Sequence, residues 1–378
     1  MTADELVLPE SWSPELKAAV TAFKQGLGIK DLAVLRQVLS MAPVYPTPEG
    51  ITVTDVKIPR LACSLEESAS GEIDAEWVVP TGKEQDESLP IVLYFHGGGY
   101  AIMSPKSHRY ITTTLASSGL RVLSVDYRMG PEAPYPAAVV DAFSSFKYLL
   151  SQGYDAKIIT FSGDSAGGGL SLATALYLRD KNETFPSGLA PLTPWIDLRG
   201  NTPSDLLLEE FMSDIISPSS AGGLDMMVGA YANKKGSEAV DPYISPVIDT
   251  PTSVRLPPAF VTTGTVDRLM SEDLADTLKR TAAGDVVQLY LYEDQVHAFQ
   301  GIPVAKASVH ALKKEAEFVK DVATGAKLST KFVFVSNAFK EREMSLDEVK
   351  STLKKLIERA EAMDGNKADF TQYKSLCA

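Results

Sequence analysis

The residues best suited to chemistry lie at Gly163-Asp164-Ser165-Ala166-Gly167. A Gly-x-Ser-x-Gly turn between an apolar run and a small-residue helix is how a serine hydroxyl is raised clear of a sheet and made a nucleophile. Lys157 to Phe161 reads as a buried strand and Leu170 to Leu178 as a helix, so Ser165 is expected on the strand-to-helix elbow. Glycine on either side lets the chain turn tightly there. The competing reading is a glycine-rich helix start with an incidental serine.

An acyl-transfer serine needs a base, an orienting carboxylate and an oxyanion hole, in the order Ser, Asp or Glu, His when the fold is an α/β-hydrolase. Of four histidines, only His297 and His310 follow Ser165. His297 comes after the strand-like run Val286 to Tyr292 and the turn-like Glu293-Asp294-Gln295, on a loop past a strand end. His310 falls in a helical pattern from Val304 to Phe318 and reads as a helix-surface residue. Asp267 follows the β-branched run Ala259 to Thr263, again just past a strand end, and is the expected orienting carboxylate. Glu272, Asp273 and Asp276 fall on the next helix, where a solvated face is the expected home for acids.

His96-Gly97-Gly98-Gly99-Tyr100 directly follows the apolar strand Ile91 to Phe95. Consecutive glycines leave backbone N–H groups unobstructed, so Gly98 and Gly99, with Ala166, are the expected donors to a developing alkoxide. A phosphate-binding loop is the alternative, but neither a dinucleotide fingerprint nor a following Lys-Ser or Lys-Thr is present.

These segments together resemble the hormone-sensitive-lipase-like family of α/β-hydrolases. The resemblance also runs through Asp126-Tyr127-Arg128, Pro131-Glu132, Pro136-Ala137-Ala138, Pro194 to Leu198, Asp241 to Pro246 and His297-Ala298-Phe299, spanning residues 75–322. It implies a mostly parallel sheet covered by helices on both faces, a carboxylesterase of the GDSAG branch, and the same triad and oxyanion donors. Tyr100, Asp164, Trp195, Phe211 and Met212 are the expected substrate-contacting side chains. Relatives often carry asparagine where this chain has Gly169. The implied activity is hydrolysis of short- to medium-chain esters through an acyl-enzyme, with no metal or organic cofactor. An acyltransferase or deacetylase would use the same triad, and a catalytically silent small-molecule-binding protein is the reading from a different class.

Composition bounds the partners. A net charge of −13 over 378 residues disfavours nucleic acid and anionic membrane surfaces, and the small-molecule ester expected as partner is what the serine motif and the resemblance imply. Two cysteines far apart, Cys63 and Cys377, argue against structural disulfides and for a reducing, cytoplasmic compartment. Neither a secretory leader nor a membrane span is expected.

Three parts are expected along the chain. Residues 1–50 hold a helical pattern from Leu16 to Leu39 and a proline-rich linker. Residues 51–325 form the catalytic domain, with an insertion at about 200–235. In the resembled family such N-terminal helices and insertions cap the serine. The insertion's Leu206, Leu207, Leu208, Phe211, Met212, Met226, Met227 and Tyr231 suit an acyl pocket or an ordinary core equally well. Residues 326–378 form an accessory segment, with a strand at Lys331 to Val335 and a helix opened by the capping box Ser345-Leu346-Asp347-Glu348. The helix has an apolar face that must be covered by the body, a partner or a second copy, and a homodimer is compatible with it.

Overall fold

Runs such as Ile91-Val92-Leu93-Tyr94-Phe95 are apolar without alternation, and a strand of that kind is stable only when both faces are covered. In the computed structural model, which describes residues 8–207, 211, 213–216, 222–234, 236–365 and 368–377, these runs form the centre of one sheet. Its strands are β1 (Ile51–Pro59), β2 (Glu72–Pro80), β3 (Ile91–Phe95), β4 (Arg121–Asp126), β5 (Ile159–Asp164), β6 (Gly188–Leu192), β7 (Ala259–Gly264), β8 (Val287–Tyr292), β9 (Lys331–Val335) and β10 (Glu341–Met344). Among the described residues the order is β1-β2-β4-β3-β5-β6-β7-β8-β9-β10. Pairing is parallel from β4 through β9, whereas β2 and β10 run antiparallel to their neighbours. Every residue of β3, β5, β7 and β8 is buried.

The helices are α1 (Pro14–Leu27), α2 (Leu32–Ser40), α3 (Arg109–Ser117), α4 (Ala137–Ser151), α5 (Ala166–Asp180), α6 (Pro203–Leu206), α7 (Gly222–Ala232), α8 (Met270–Ala283), α9 (Lys306–Ala323), α10 (Leu346–Asp364) and α11 (Thr371–Leu376). One face of the sheet carries α4, α5 and α8, and the other carries α3 and α9, giving two hydrophobic clusters. This is the α/β-hydrolase architecture the sequence leads one to expect. Among the described residues, no helix is long and apolar enough to cross a membrane.

The tail continues the same sheet rather than standing apart from it. Its helix α10 opens on the expected capping box, with the Ser345 hydroxyl accepting from Glu348 N–H at 3.2 Å and Glu348 accepting from Ser345 N–H at 2.8 Å. The apolar face of α10 is covered within the chain: Val349, Leu353, Leu356, Ile357 and Ala360 are buried, and the helix packs on α6 and α8. In α11 the Tyr373 hydroxyl donates to Asp197 at 2.7 Å, and both residues are buried.

That cover corrects one expectation. Glu272, Asp273 and Asp276 do not face solvent, because α8 is held between the sheet and α10, and all three are buried. The Glu272 carboxylate accepts from the N–H groups of Ile196 and Asp197, at 2.7 and 3.1 Å. Burial, with the Asp197 charge adding to it, holds its pKa well above the usual carboxylate range.

Candidate active site

Ser165 stands between the last residue of β5 and the first residue of α5, in a left-handed backbone conformation with φ 54°. An L-residue is strained there, and the strain is sustained by close packing on both sides. A Cβ at Gly163 would lie 2.3 Å from the Phe95 carbonyl oxygen, and one at Gly167 only 1.9 Å from it. The two glycines therefore let the elbow settle against the end of β3. Gly169 is equally confined, since a Cβ there would stand 2.2 Å from the Trp195 carbonyl oxygen.

The loops after β7 and β8 bring the acid and base to this elbow. The Ser165 hydroxyl lies 2.7 Å from His297 Nε2, in line to donate to it. His297 Nδ1 faces the Asp267 carboxylate, 3.3 Å from Oδ1 and 3.4 Å from Oδ2. Burial opposes the imidazolium, but Asp267, with Asp214 and Asp164 behind it, outweighs burial and holds the His297 pKa above the ordinary histidine value. A base that binds its proton more firmly when cationic, with its partner anion on the far nitrogen, is what proton abstraction from a hydroxyl needs.

The glycine loop lies beside the elbow. Gly98 and Gly99 have φ of 111° and 60°, values that favour glycine. Among the described residues no group accepts a hydrogen bond from either amide. Ala166 is the first residue of α5, so its N–H has no carbonyl a turn earlier in the helix. Asp164 anchors this loop: its carboxylate accepts from the Tyr94 hydroxyl at 2.5 Å and from Gly97 N–H at 3.1 Å, and His108 Nε2 stands 3.3 Å away.

A cavity of about 430 Å³ opens over Ser165. Its walls come from Leu27, Leu39 and Val44 of the N-terminal segment and from Ile215, Leu224 and Met227 of the insertion. Trp195 lies on its floor with Gly98, Gly99 and His297.

Several expected substrate contacts are placed differently. Tyr100 is fully buried beneath the glycine loop, stacked on Tyr231 of α7 with ring centroids 3.9 Å apart, and does not reach the cavity. Phe211 turns into the hydrophobic core rather than toward the serine. Asp164 borders the cavity, but its oxygens are taken up by the loop anchor. Met212 and Leu208 lie outside the described residues. Of the other insertion residues, Met227 lines the cavity, whereas Leu207 and Tyr231 are core. His310 is away from the site, with Nδ1 3.0 Å from the Tyr292 hydroxyl.

The sequence reading missed Asp214 and His108. Asp214 is fully buried against the loops of Asp267 and His297, and no sequence motif marks it. His108 precedes α3, and its contacts with Asp164 and Gly97 at the border of the cavity single it out.

Comparison with known proteins agrees with this fold. Residues 92–301 match the family described as alpha/beta hydrolase fold. An acetyl-hydrolase of Streptomyces hygroscopicus is 32% identical over 259 residues, 68% of this chain and 82% of that protein. An esterase of Acinetobacter venetianus is 32% identical over 235 residues, 58% of this chain and 70% of that protein. Among solved structures, an esterase from the bacterial hormone-sensitive lipase family superposes with a TM-score of 0.69 at 29% identity, covering 82% of this chain and 99% of that one. The chain belongs to the alpha/beta hydrolase-fold family, within its hormone-sensitive-lipase-like branch.

Proposed function

We propose that the protein is a serine carboxylesterase hydrolysing short- to medium-chain esters, with Ser165 as nucleophile, His297 as base and Asp267 as the carboxylate that orients it. The observation that carries this reading is the 2.7 Å contact between Ser165 Oγ and His297 Nε2 at the floor of an apolar cavity. His297 takes the hydroxyl proton as Oγ attacks the ester carbonyl. The oxyanion is received by the amides of Gly98, Gly99 and Ala166, and collapse expels the alcohol, protonated by His297. Water then attacks the acyl-enzyme, giving its proton to the same imidazole, and the carboxylic acid leaves with Ser165 restored.

The names of the relatives, acetyl-hydrolase and esterase, support ester substrates. The cavity volume supports a modest acyl group. Wall residues from both the N-terminal helices and the insertion support a cap over the serine. Cytoplasmic residence is part of the proposal, supported by two unpaired cysteines, Cys63 and Cys377. The homodimer expected from the tail loses its original motive, since the apolar face of α10 is covered by the chain itself.

The test is hydrolysis of p-nitrophenyl esters from acetyl to palmitoyl by the wild type and Ser165→Ala. Turnover that peaks at short or medium chains and drops by about 10³-fold or more in the variant is expected. Activity that survives the substitution in a clean preparation would remove Ser165 from its role.

A further inference from the structure

Two loops carry the acid and the base, and a single side chain from the insertion joins them. The Asp214 carboxylate accepts from Arg268 N–H through Oδ2 at 2.8 Å and from His297 N–H through Oδ1 at 2.8 Å. Oδ1 also accepts from Ile215 N–H at 2.7 Å, which fixes the carboxylate to its own backbone. Arg268 follows Asp267 directly and reaches back into the insertion, donating to the Ile216 carbonyl at 3.0 Å and pairing with Asp205 at 3.0 Å. The insertion and the β7–α8 loop therefore hold each other reciprocally.

We propose that Asp214 is a positioning residue: it sets the spacing of the Asp267 and His297 loops, so that seating of the insertion completes the triad. A carboxylate has a fixed width, and one donor from each loop sits on a different oxygen, so the loop separation follows from the width of one group. Charge-assisted bonds of this kind are the stronger class. Without Asp214, both buried N–H groups lose their acceptor, and each loop is free to relax away from the other. Asp214 also adds negative charge behind His297.

The charged groups facing this pair are Asp267 and Arg268 from the β7–α8 loop, His297 from the β8–α9 loop, Lys24 from α1, and Asp164 at the elbow. Burial, followed by the Asp267 charge, pushes Asp214 up to about 7, so its anion is at full strength only above neutrality.

The kinetic half of the test rests on the carboxylesterase reading, and the spectroscopic half does not. Asp214→Asn keeps the shape but turns one oxygen into a donor facing a donor. On p-nitrophenyl butyrate we expect kcat to fall by about 10²-fold with KM nearly unchanged, the size of a misplaced catalytic group. In an Asp267→Asn background the same substitution should cost far less, because both act through His297. The His297 pKa, followed by NMR of histidine-labelled protein, should fall in Asp214→Asn. Losses that simply add across the double variant, a loss confined to KM, or an unmoved His297 pKa would overturn the proposal. If the wild type turns over no ester, the carboxylesterase reading falls while the NMR arm still decides on Asp214. Should Asp214→Asn fail to fold, Asp214→Glu carries the test: its charge maintains the histidine pKa, its longer reach breaks the spacing, and an unaltered kcat would overturn the proposal.

Discussion

Met227 of the insertion lies directly against Gly99 of the glycine loop: a Cβ at position 99 would come within 2.1 Å of Met227 Sδ. The wall of the cavity and the glycine loop are thus in contact, and the backbone at Gly99, with φ 60°, leaves little freedom for any other residue. Gly99→Ala should displace the loop and reduce kcat on p-nitrophenyl butyrate by about 10²-fold or more, the cost of losing one oxyanion donor. Circular dichroism should show the fold retained. A wild-type kcat would mean that the Gly99 amide takes no part.

The elbow glycines should affect stability as well as rate. Gly163→Ala and Gly167→Ala each drive a Cβ into the Phe95 carbonyl, at 2.3 and 1.9 Å. Neither β3 nor β5 can retreat, since both are buried and paired on both sides. We expect losses of at least about 1–3 kcal/mol in urea unfolding, the range for overpacked cores. An unchanged unfolding midpoint in either variant would show that the elbow has room.

The pH dependence of the rate follows from His297. Only the neutral imidazole can accept the Ser165 proton. Burial lowers the pKa and Asp267 more than reverses this, so the acid limb of kcat/KM should lie above the ordinary histidine value. The same raised pKa makes His297 stabilising at low pH, a contribution lost as pH rises through the folded-state value. Asp267→Asn should move the limb down and reduce the rate. A limb that stays in place in that variant would separate Asp267 from His297.

Glu315 offers a test away from the cavity. It is fully buried on α9, where its carboxyl lies 2.6 Å from the Ser162 hydroxyl on β5, and burial pushes its pKa up to about 8. The unfolded chain ionises near 4.5 while the folded chain holds its proton, so stability falls as pH rises from 4.5 toward 8. Glu315→Gln, which is neutral throughout, should remove that slope and raise Tm at pH 8 relative to the wild type. Parallel Tm profiles against pH for the two proteins would show that Glu315 is ionised in the fold.

Local pattern made the strands legible, and with them the loops that bring Ser165, Asp267 and His297 together. Ile91 to Phe95 and Lys331 to Val335 are strands at the expected residues, because an apolar run bounded by turn residues leaves little choice of end. That Ser165, Asp267 and His297 meet was legible because each follows a strand, where side chains gather at one edge of a parallel sheet. The burial of Glu272 and Asp273 was not legible, since it depends on α10, which arrives from far along the sequence. The insertion was hardest: Phe211 and Met227 are both large and apolar, and only tertiary packing sends one to the core and the other to the cavity wall. Asp214 is hidden for the same reason, as its partners are backbone amides that no side-chain motif records.

The tail also changes what the sheet presents to other molecules. Without β9, the strand Val287-Gln288-Leu289-Tyr290-Leu291-Tyr292 would end the sheet with a free row of amides and carbonyls on a β-prone, largely uncharged sequence. Such an edge recruits strands from other chains. Instead the last strand is short and carries Glu341, Arg342 and Glu343 exposed to water, a poor template for further pairing. At this side of the sheet the tail thereby replaces a six-residue uncharged edge with a four-residue charged one.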